Sequence, residues 1–184
     1  MIDAVVAVFG ASRPHAGDPL YAQGLRCGER LAQAGLAVAT GGYGGLMEAV
    51  SRGAAEAGGR VIGVTAPDVF PDRPGANPFV AEEISVGSLA LRITHLVEAC
   101  DAVIALPGSL GTLTELMVGW NTAFVARFAG AEPLPIVTVG PLWRDLITRL
   151  SDLLDTDGSL VHTAVDVDEA VAVVVAKLET HTRA

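Results

Sequence analysis

The stretch AVIALPGSLGTLTE at Ala102–Glu115 joins an apolar run of strand length to a glycine-containing turn and to the start of a helical pattern. Pro107 ends the apolar run, because proline has no N–H group for the ladder of a central strand. Gly108 and Gly111 permit a positive φ or a close approach of the backbone to another group. A buried strand that leads through such a turn into a helix is the repeating unit of a parallel α/β sheet.

The rest of the chain repeats this alternation of short apolar runs and longer segments of helical period. We therefore expect a doubly wound α/β fold, with helices on both faces of a parallel sheet, in one domain over residues 1–184. Strands are predicted at Ala4–Phe9, Ala37–Thr40, Arg60–Thr65, Ala102–Leu106 and Leu134–Val139, with a shorter one near Val161–Val165. Helices are predicted at Pro19–Ala34, Gly45–Ala57, Ser88–Ala99, Leu110–Phe128, Pro141–Leu154 and Val167–His181. The long irregular stretch Pro67–Pro78, with four prolines, is interpreted as a lid or a rim at a strand end.

Composition argues against several classes of protein. The formal net charge of −9 argues against a broad nucleic-acid surface, because such binding neutralises many phosphates with Lys and Arg. No apolar run approaches the roughly 20 residues of a membrane span, and Met1-Ile2-Asp3 lacks the basic start of a signal peptide. Cys27 and Cys100 lack metal-ligand spacing, and the histidines share no spacing. We expect a cytoplasmic protein with no membrane partner, no metal and no cofactor.

Lysine occurs once, as Lys177 near the C-terminal end. A phosphate-binding loop of the GxxxxGK[ST] type needs a lysine in its turn, and a pyridoxal enzyme needs one in its core, so neither is expected. The dinucleotide pattern GxGxxG is absent after the first predicted strand. A site for an anion would therefore depend on backbone N–H groups, a helix N-terminus and one or two arginines.

Three predicted strands end in turns that are rich in glycine or polar, at residues 10–12, 41–45 and 108–112. Ligands of open α/β sheets bind outside the carboxyl ends of the strands. The third turn is predicted to bind a phosphate at the positive end of the following helix, with a tight turn without a ligand as the alternative. Tyr43 either stacks on a base or closes its loop. The residues predicted to bind phosphate or nucleotide are Gly10, Ser12, Gly41, Gly42, Gly44, Gly45, Gly108, Ser109, Gly111 and Thr112.

Glu115 and Arg92 each allow two interpretations. Thr112 and Glu115 form the T-x-x-E pattern of a capping box, in which the threonine caps the helix and the glutamate reaches back to it. Alternatively, Glu115 faces the ligand, where a carboxylate could stabilise positive charge on a ribose or position a water molecule. Arg92 has no acid three or four residues away, so it either lies on the surface with its head in water or meets a phosphate or a carboxylate.

Two motifs and one arginine resemble a known family. PGSLGTLTE at Pro107–Glu115 resembles the PGGxGTxxE signature of the Lonely Guy (LOG) family, GGYGGLMEA at Gly41–Ala49 resembles its GGGxxGLMG segment, and Arg92 falls at its RKxxM element. The resemblance implies a Rossmann-like homodimer that binds nucleoside monophosphates such as AMP. In characterised members it also implies hydrolysis of cytokinin riboside 5′-monophosphates to the free base and ribose 5-phosphate. Arg92 and Glu115 match the catalytic pair, and Gly108, Gly111 and Thr112 match the phosphate-binding turn.

Departures from the family pattern indicate a divergent bacterial branch. Ser109 replaces the second glycine of PGG, Glu48 replaces the final glycine of GLMG, and Ile93 and Leu96 replace the lysine and methionine of RKxxM. We expect a nucleoside monophosphate phosphoribohydrolase, with a non-catalytic phospho-ligand carrier, similar to molybdenum-cofactor carrier proteins, as the alternative. Lysine decarboxylase, a label long attached to such sequences, is rejected. By resemblance the dimer surface is formed by the predicted helices Ser88–Ala99 and Leu110–Phe128, with the apolar residues Val118, Trp120, Phe124 and Phe128.

Overall fold

A computed structural model describes residues 4–73 and 75–181, and in it seven parallel strands form one sheet with the order β4-β3-β2-β1-β5-β6-β7. The strands are β1 (Val5–Phe9), β2 (Ala37–Thr40), β3 (Val61–Thr65), β4 (Glu82–Ser85), β5 (Ala102–Ala105), β6 (Ile136–Val139) and β7 (Val161–Ala164). The helices are α1 (Pro19–Gln33), α2 (Leu46–Glu56), α3 (Leu89–Glu98), α4 (Leu110–Phe128), α5 (Pro141–Leu154) and α6 (Val167–His181), with a 3₁₀ turn at Gly158–Leu160. Two predictions involve residues outside the described ranges. The expectation that the chain lacks a signal peptide was based on residues 1–3, and Pro74 belongs to the predicted lid or rim.

Helices cover both faces of the sheet, so the predicted Rossmann-like α/β fold is confirmed. Successive side chains of a strand point to opposite faces, and β1 therefore contributes to two apolar cores. Val6 and Val8 pack with α1, α2 and α6, whereas Ala7 and Phe9 pack with α3, α4 and α5.

The turns that follow β1, β2 and β5 are joined by backbone hydrogen bonds. β1 lies between β2 and β5. From β1 the chain continues to β2, β3 and β4 on one side, and β5, β6 and β7 lie on the other side, so the strand order reverses at the β1–β5 pair. Ala11 N–H donates to the carbonyl of Pro107 at 3.2 Å, and Leu46 N–H donates to the carbonyl of Ala11 at 2.8 Å. This edge is the place where open α/β sheets bind ligands.

Strand β4 was not predicted from the sequence. Its residues Glu82–Ser85 include one large apolar side chain, that of Ile84, and they lie at the edge of the sheet. Polar pairs hold it instead: Arg60 Nη2 donates to Glu82 at 2.7 Å and Thr65 Oγ1 donates to Glu83 at 2.7 Å. Charged side chains on an edge strand prevent further strand pairing, which explains why the apolar pattern is missing there.

Within the described residues, no helix is both long enough and apolar enough to cross a membrane.

Candidate active site

One cavity of about 270 Å³ opens at the carboxyl edge of the sheet, between the end of β1, the chain that follows β3, and the helices α3 and α4. It brings together both predicted catalytic residues, Arg92 and Glu115. Six of the ten residues predicted to bind phosphate or nucleotide also line it: Gly10, Ser12, Gly41, Ser109, Gly111 and Thr112. The other four, Gly42, Gly44, Gly45 and Gly108, do not line it. The ligand-binding roles of all ten stay predictions.

Three of the glycines outside the cavity lining shape its walls. Gly42 and Gly45 have positive φ values of 75°, and a Cβ on Gly45 would lie 2.5 Å from Ser12 Cα. Gly108 has no positive φ, but a Cβ there would lie 2.5 Å from Thr112 Cβ. A side chain at Gly45 would collide with Ser12, and one at Gly108 would collide with Thr112, so these two glycines allow the close packing of residues that line the cavity.

The start of α4 differs from the predicted capping box. The N-cap residue is Ser109, whose side chain accepts no cap hydrogen bond, and the helix begins at Leu110. Thr112 is therefore inside the helix, buried against Gly108, and the prediction that it caps the helix is wrong. The first turn of α4 consequently has no side-chain cap, and Gly111 within it faces open space, because a Cβ there would have no neighbour within 4 Å. Uncapped N–H groups and the helix dipole at such an end favour an anion.

Glu115 points to Arg92 rather than back to the helix start. Its Oε1 lies 3.5 Å from Arg92 Nη1, and its side chain is 12% exposed. Burial raises the pKa of Glu115 to about 7, and the positive charge of Arg92 offsets only part of this increase. The carboxyl group thus changes its charge near neutral pH, which is the range in which a catalytic carboxyl group is useful.

Arg92 is buried, so the interpretation that its head lies in water is wrong. Nε donates to the carbonyl of Val64 at 2.8 Å, and Nη2 donates to the carbonyl of Gly41 at 2.9 Å and contacts Met47 Sδ at 3.5 Å. Burial lowers the pKa of Arg92, while Glu115 raises it. A Cβ on Gly41 would overlap this guanidinium group, so this glycine makes room for the arginine. The chain orients Arg92 through backbone carbonyls that no sequence motif identifies.

The segment between Thr65 and Glu82, which we call the β3–β4 segment, adds cavity residues that no motif predicted. Phe70 and Arg73 line the cavity, and both belong to the proline-rich stretch that was interpreted as a lid or a rim. Tyr43 is buried, and its hydroxyl accepts a hydrogen bond from Ala66 N–H at 2.8 Å. Tyr43 therefore closes its loop against this segment. Asn77 N–H also donates to the carbonyl of Gly42 at 2.7 Å.

Other lining residues that the sequence did not single out as site residues are apolar, with one threonine: Val8, Phe9, Met47, Leu89, Ile93 and Thr114. They lie on strands and helices whose apolar pattern had predicted core positions. A core position and a cavity wall have the same residue types, so the pattern alone cannot separate them.

Among the described residues, no group of three or more His, Cys, Asp or Glu side chains is placed to hold a metal ion.

The glycine turns and the Arg92–Glu115 pair belong to a segment that matches a known family. Residues 3–125 match the model of the SLOG cluster4 family. The chain belongs to this family. A relative from Mycobacterium tuberculosis, named cytokinin riboside 5′-monophosphate phosphoribohydrolase, is 32% identical to this SLOG cluster4 protein over 164 residues, which are 84% of this chain and 81% of the relative. The resemblance to the LOG family is thereby confirmed.

A second relative matches a shorter part of the SLOG cluster4 protein. The probable cytokinin riboside 5′-monophosphate phosphoribohydrolase LOGL5 of Oryza sativa subsp. japonica is 36% identical over 113 residues, which are 61% of this chain. The match spans 46% of the length of that relative, about half. Among solved structures, the molybdenum cofactor carrier protein of Chlamydomonas reinhardtii has a TM-score of 0.73 at 25% identity and covers 97% of this chain and 99% of that chain.

Proposed function

We propose that the protein is a nucleoside 5′-monophosphate phosphoribohydrolase, which acts on AMP or on a cytokinin riboside monophosphate and releases the base and ribose 5-phosphate. The observation that carries the proposal is the buried carboxyl group of Glu115, 3.5 Å from Arg92, in the same cavity as the uncapped start of α4. The names of the M. tuberculosis and rice relatives support this class of reaction.

The reaction replaces one bond to the anomeric carbon of the ribose. Water adds to C1′ while the bond from C1′ to the base nitrogen breaks, and the base leaves with the electron pair and takes up a proton. Positive charge develops on the ribose in such a transition state. The ionised Glu115 carboxylate stabilises that charge or orients the water, and a fixed carboxylate in a buried site does so more effectively than solvent. Arg92 holds Glu115 and the substrate in place.

The polar end of the cavity suits the 5′-phosphate of the substrate. Ser109, Gly111 and Thr112 line the cavity at the first turn of α4, and Ser12 lines it from the turn after β1. Backbone N–H groups at a helix start bind phosphate without a lysine. This agrees with a chain whose single lysine is Lys177 in α6.

Release of free base tests the proposal. The pure protein is incubated with AMP and with isopentenyladenosine monophosphate, and the products are separated by liquid chromatography. We expect base release from at least one nucleotide, and we expect Glu115→Gln to abolish it because the neutral amide cannot balance the charge on the ribose. Glu179→Gln, at an exposed glutamate on α6 outside the cavity and the proposed interface, is the matched control and should retain the wild-type rate.

A non-catalytic carrier of a phosphate-bearing ligand is the second candidate function. The observation that favours it is the similarity in structure to the Chlamydomonas carrier protein over nearly the whole of both chains. Binding of AMP without base release from either nucleotide would support the carrier and contradict the hydrolase for these substrates. Equal base release by wild type and Glu115→Gln would contradict the assigned role of Glu115.

A homodimer through α3 and α4, located in the cytoplasm, is part of the proposal. The outer faces of these helices expose Leu91, Val125 and Phe128. Trp120, which the sequence analysis placed on the dimer surface, is buried in the core of its own chain and is not available to a second copy. The other residues predicted for this surface are at least partly exposed.

A further inference from the structure

Arg73 lines the cavity, and no sequence motif gave it a role. Its guanidinium carbon lies 4.8 Å from the ring centre of Phe70 and 5.0 Å from that of Tyr43. Aromatic rings contact the flat face of an arginine, whereas anions bind at its N–H edge. The two rings are inclined at 74° to each other, so the guanidinium group can lie flat on only one of them, but neither ring neutralises its charge.

The segment that carries Arg73 is fixed on both sides of this residue. Arg73 N–H donates to the carbonyl of Phe70 at 2.9 Å, which closes a turn. Farther along the chain, Asn77 Nδ2 donates to the carbonyl of Tyr43 at 3.0 Å. The guanidinium group is thus held on an anchored turn, so less conformational entropy is lost when it binds a ligand.

Arg73 and Arg92 both lie near the rings of Tyr43 and Phe70, but they differ in their polar contacts. Arg92 donates to the carbonyls of Val64 and Gly41 and lies beside Glu115. Within the part of the chain that the structure describes, the guanidinium group of Arg73 has no carboxylate at ion-pair distance and no acceptor for its N–H groups. Arg92 is therefore committed to orienting the carboxyl group, and Arg73 is the cavity cation that remains available to an anion.

The charges around the cavity support this division. Among its described lining residues, Arg73 and Arg92 are the cations and Glu115 is the acid, so the local charge is positive. The whole chain has a formal net charge of −9. A locally positive cleft on an acidic protein concentrates an anionic ligand at that point.

We propose that Arg73 binds the phosphate group of the ligand through its N–H edge, together with the first turn of α4. The identity of this anion as the 5′-phosphate of a nucleotide rests on the proposed function. The planar guanidinium group matches two phosphate oxygens at once, and lysine cannot reproduce that geometry. Arg73 is thus a residue that distinguishes a nucleotide from the corresponding nucleoside.

Calorimetric titration with ribose 5-phosphate, ribose and adenosine tests the proposal. Arg73→Met keeps the apolar stem beside Phe70 and Tyr43 but removes the charge. We expect it to weaken ribose 5-phosphate about tenfold or more, in keeping with a charged hydrogen bond, and to leave adenosine unchanged. Arg73→Lys should lose less affinity than Arg73→Met. Arg144→Gln removes one positive charge from the exposed face of α5 and should match wild type.

Three results would overturn the role of Arg73. These are an affinity of Arg73→Met for ribose 5-phosphate within twofold of wild type, an equal loss for adenosine, and a wild-type protein that binds ribose 5-phosphate no better than ribose. Base release does not enter this test, because ribose 5-phosphate is a product of the proposed reaction. A protein that releases no base but binds ribose 5-phosphate through Arg73 would contradict the hydrolase and leave this inference intact.

Discussion

At the scale of single residues, the carboxyl group of Glu115 should make the stability of the protein depend on pH. Its pKa is about 7 in the folded chain, against an ordinary value of 4.5. Between these two values the folded chain binds the proton more tightly than the unfolded chain. The stabilising contribution of the protonated form is therefore complete below about pH 4.5 and is lost as the pH rises through 7.

Glu115→Gln should remove this pH dependence, because the amide stays neutral at every pH. We expect the variant to match wild type at about pH 5 and to be more stable at about pH 8, by roughly 1–3 kcal/mol. Urea unfolding at the two pH values measures the difference, with Glu179→Gln on the exposed face of α6 as the control. A variant less stable than wild type at the higher pH would mean that the ion pair with Arg92 outweighs the burial of the carboxylate.

Arg92 and Glu115 also show how far a sequence can specify a site. The family resemblance named both residues, and both line the cavity. The local pattern around Glu115 favoured another role, since T-x-x-E is a capping box, and for Arg92 the alternative was a side chain with its head in water. Such patterns cover only a few residues along the chain. The carbonyl of Val64, which accepts a hydrogen bond from Arg92, belongs to β3 and lies 28 residues away in the sequence.

At the scale of elements, substitution by alanine should have different effects on stability at the two glycines of the turn from β5 to α4. A Cβ on Gly108 would meet Thr112, so Gly108→Ala should destabilise the protein by about 1–3 kcal/mol, as overpacked sites do. A Cβ on Gly111 meets no atom within 4 Å, so the free energy of unfolding of Gly111→Ala should lie within about 1 kcal/mol of the wild-type value. Its methyl group would occupy space in the cavity instead and should weaken the binding of ribose 5-phosphate.

Urea unfolding and calorimetric titration on the two variants separate these effects. If Gly108→Ala is as stable as the wild type, the methyl group does not collide with Thr112 and the prediction is wrong. Full affinity of Gly111→Ala for ribose 5-phosphate would show that the phosphate does not bind at the first turn of α4.

The elements themselves were largely predictable, because most of them carry a clear apolar period. The limits of α4, α5 and α6 agree with the prediction, and the other helices and the predicted strands agree to within two residues at each end. Strand β4 and the path of the β3–β4 segment were not predictable in this way. Both depend on polar contacts between distant residues, such as Asn77 with Gly42, and hydrophobic periodicity carries no information about such contacts.

At the scale of the whole molecule, the order of the strands decides which turns meet. β1 and β5 are far apart in the sequence but adjacent in the sheet, and this adjacency brings Ser12 and Ser109 to the same cavity. The β3–β4 segment adds Arg73 from the other side of β1. Each turn is unremarkable alone, since glycine turns before helices are common in α/β folds. Their convergence on Arg92 and Glu115 is what supports a catalytic site.

The exposed apolar face of α4 should hold two copies of the chain together. Phe128 is 79% exposed, and its ring makes an edge contact with Phe124 at 4.8 Å between ring centres. Aromatic residues in this position are typical of interfaces, where they bury a large area. Phe128→Glu should therefore give a monomer in size-exclusion chromatography with light scattering, and we expect the wild type to elute as a dimer. Leu153→Glu is the matched control, because Leu153 is 80% exposed on α5, outside the proposed interface, and the variant should remain a dimer. A monomeric wild type, or dissociation by Leu153→Glu alone, would contradict this interface.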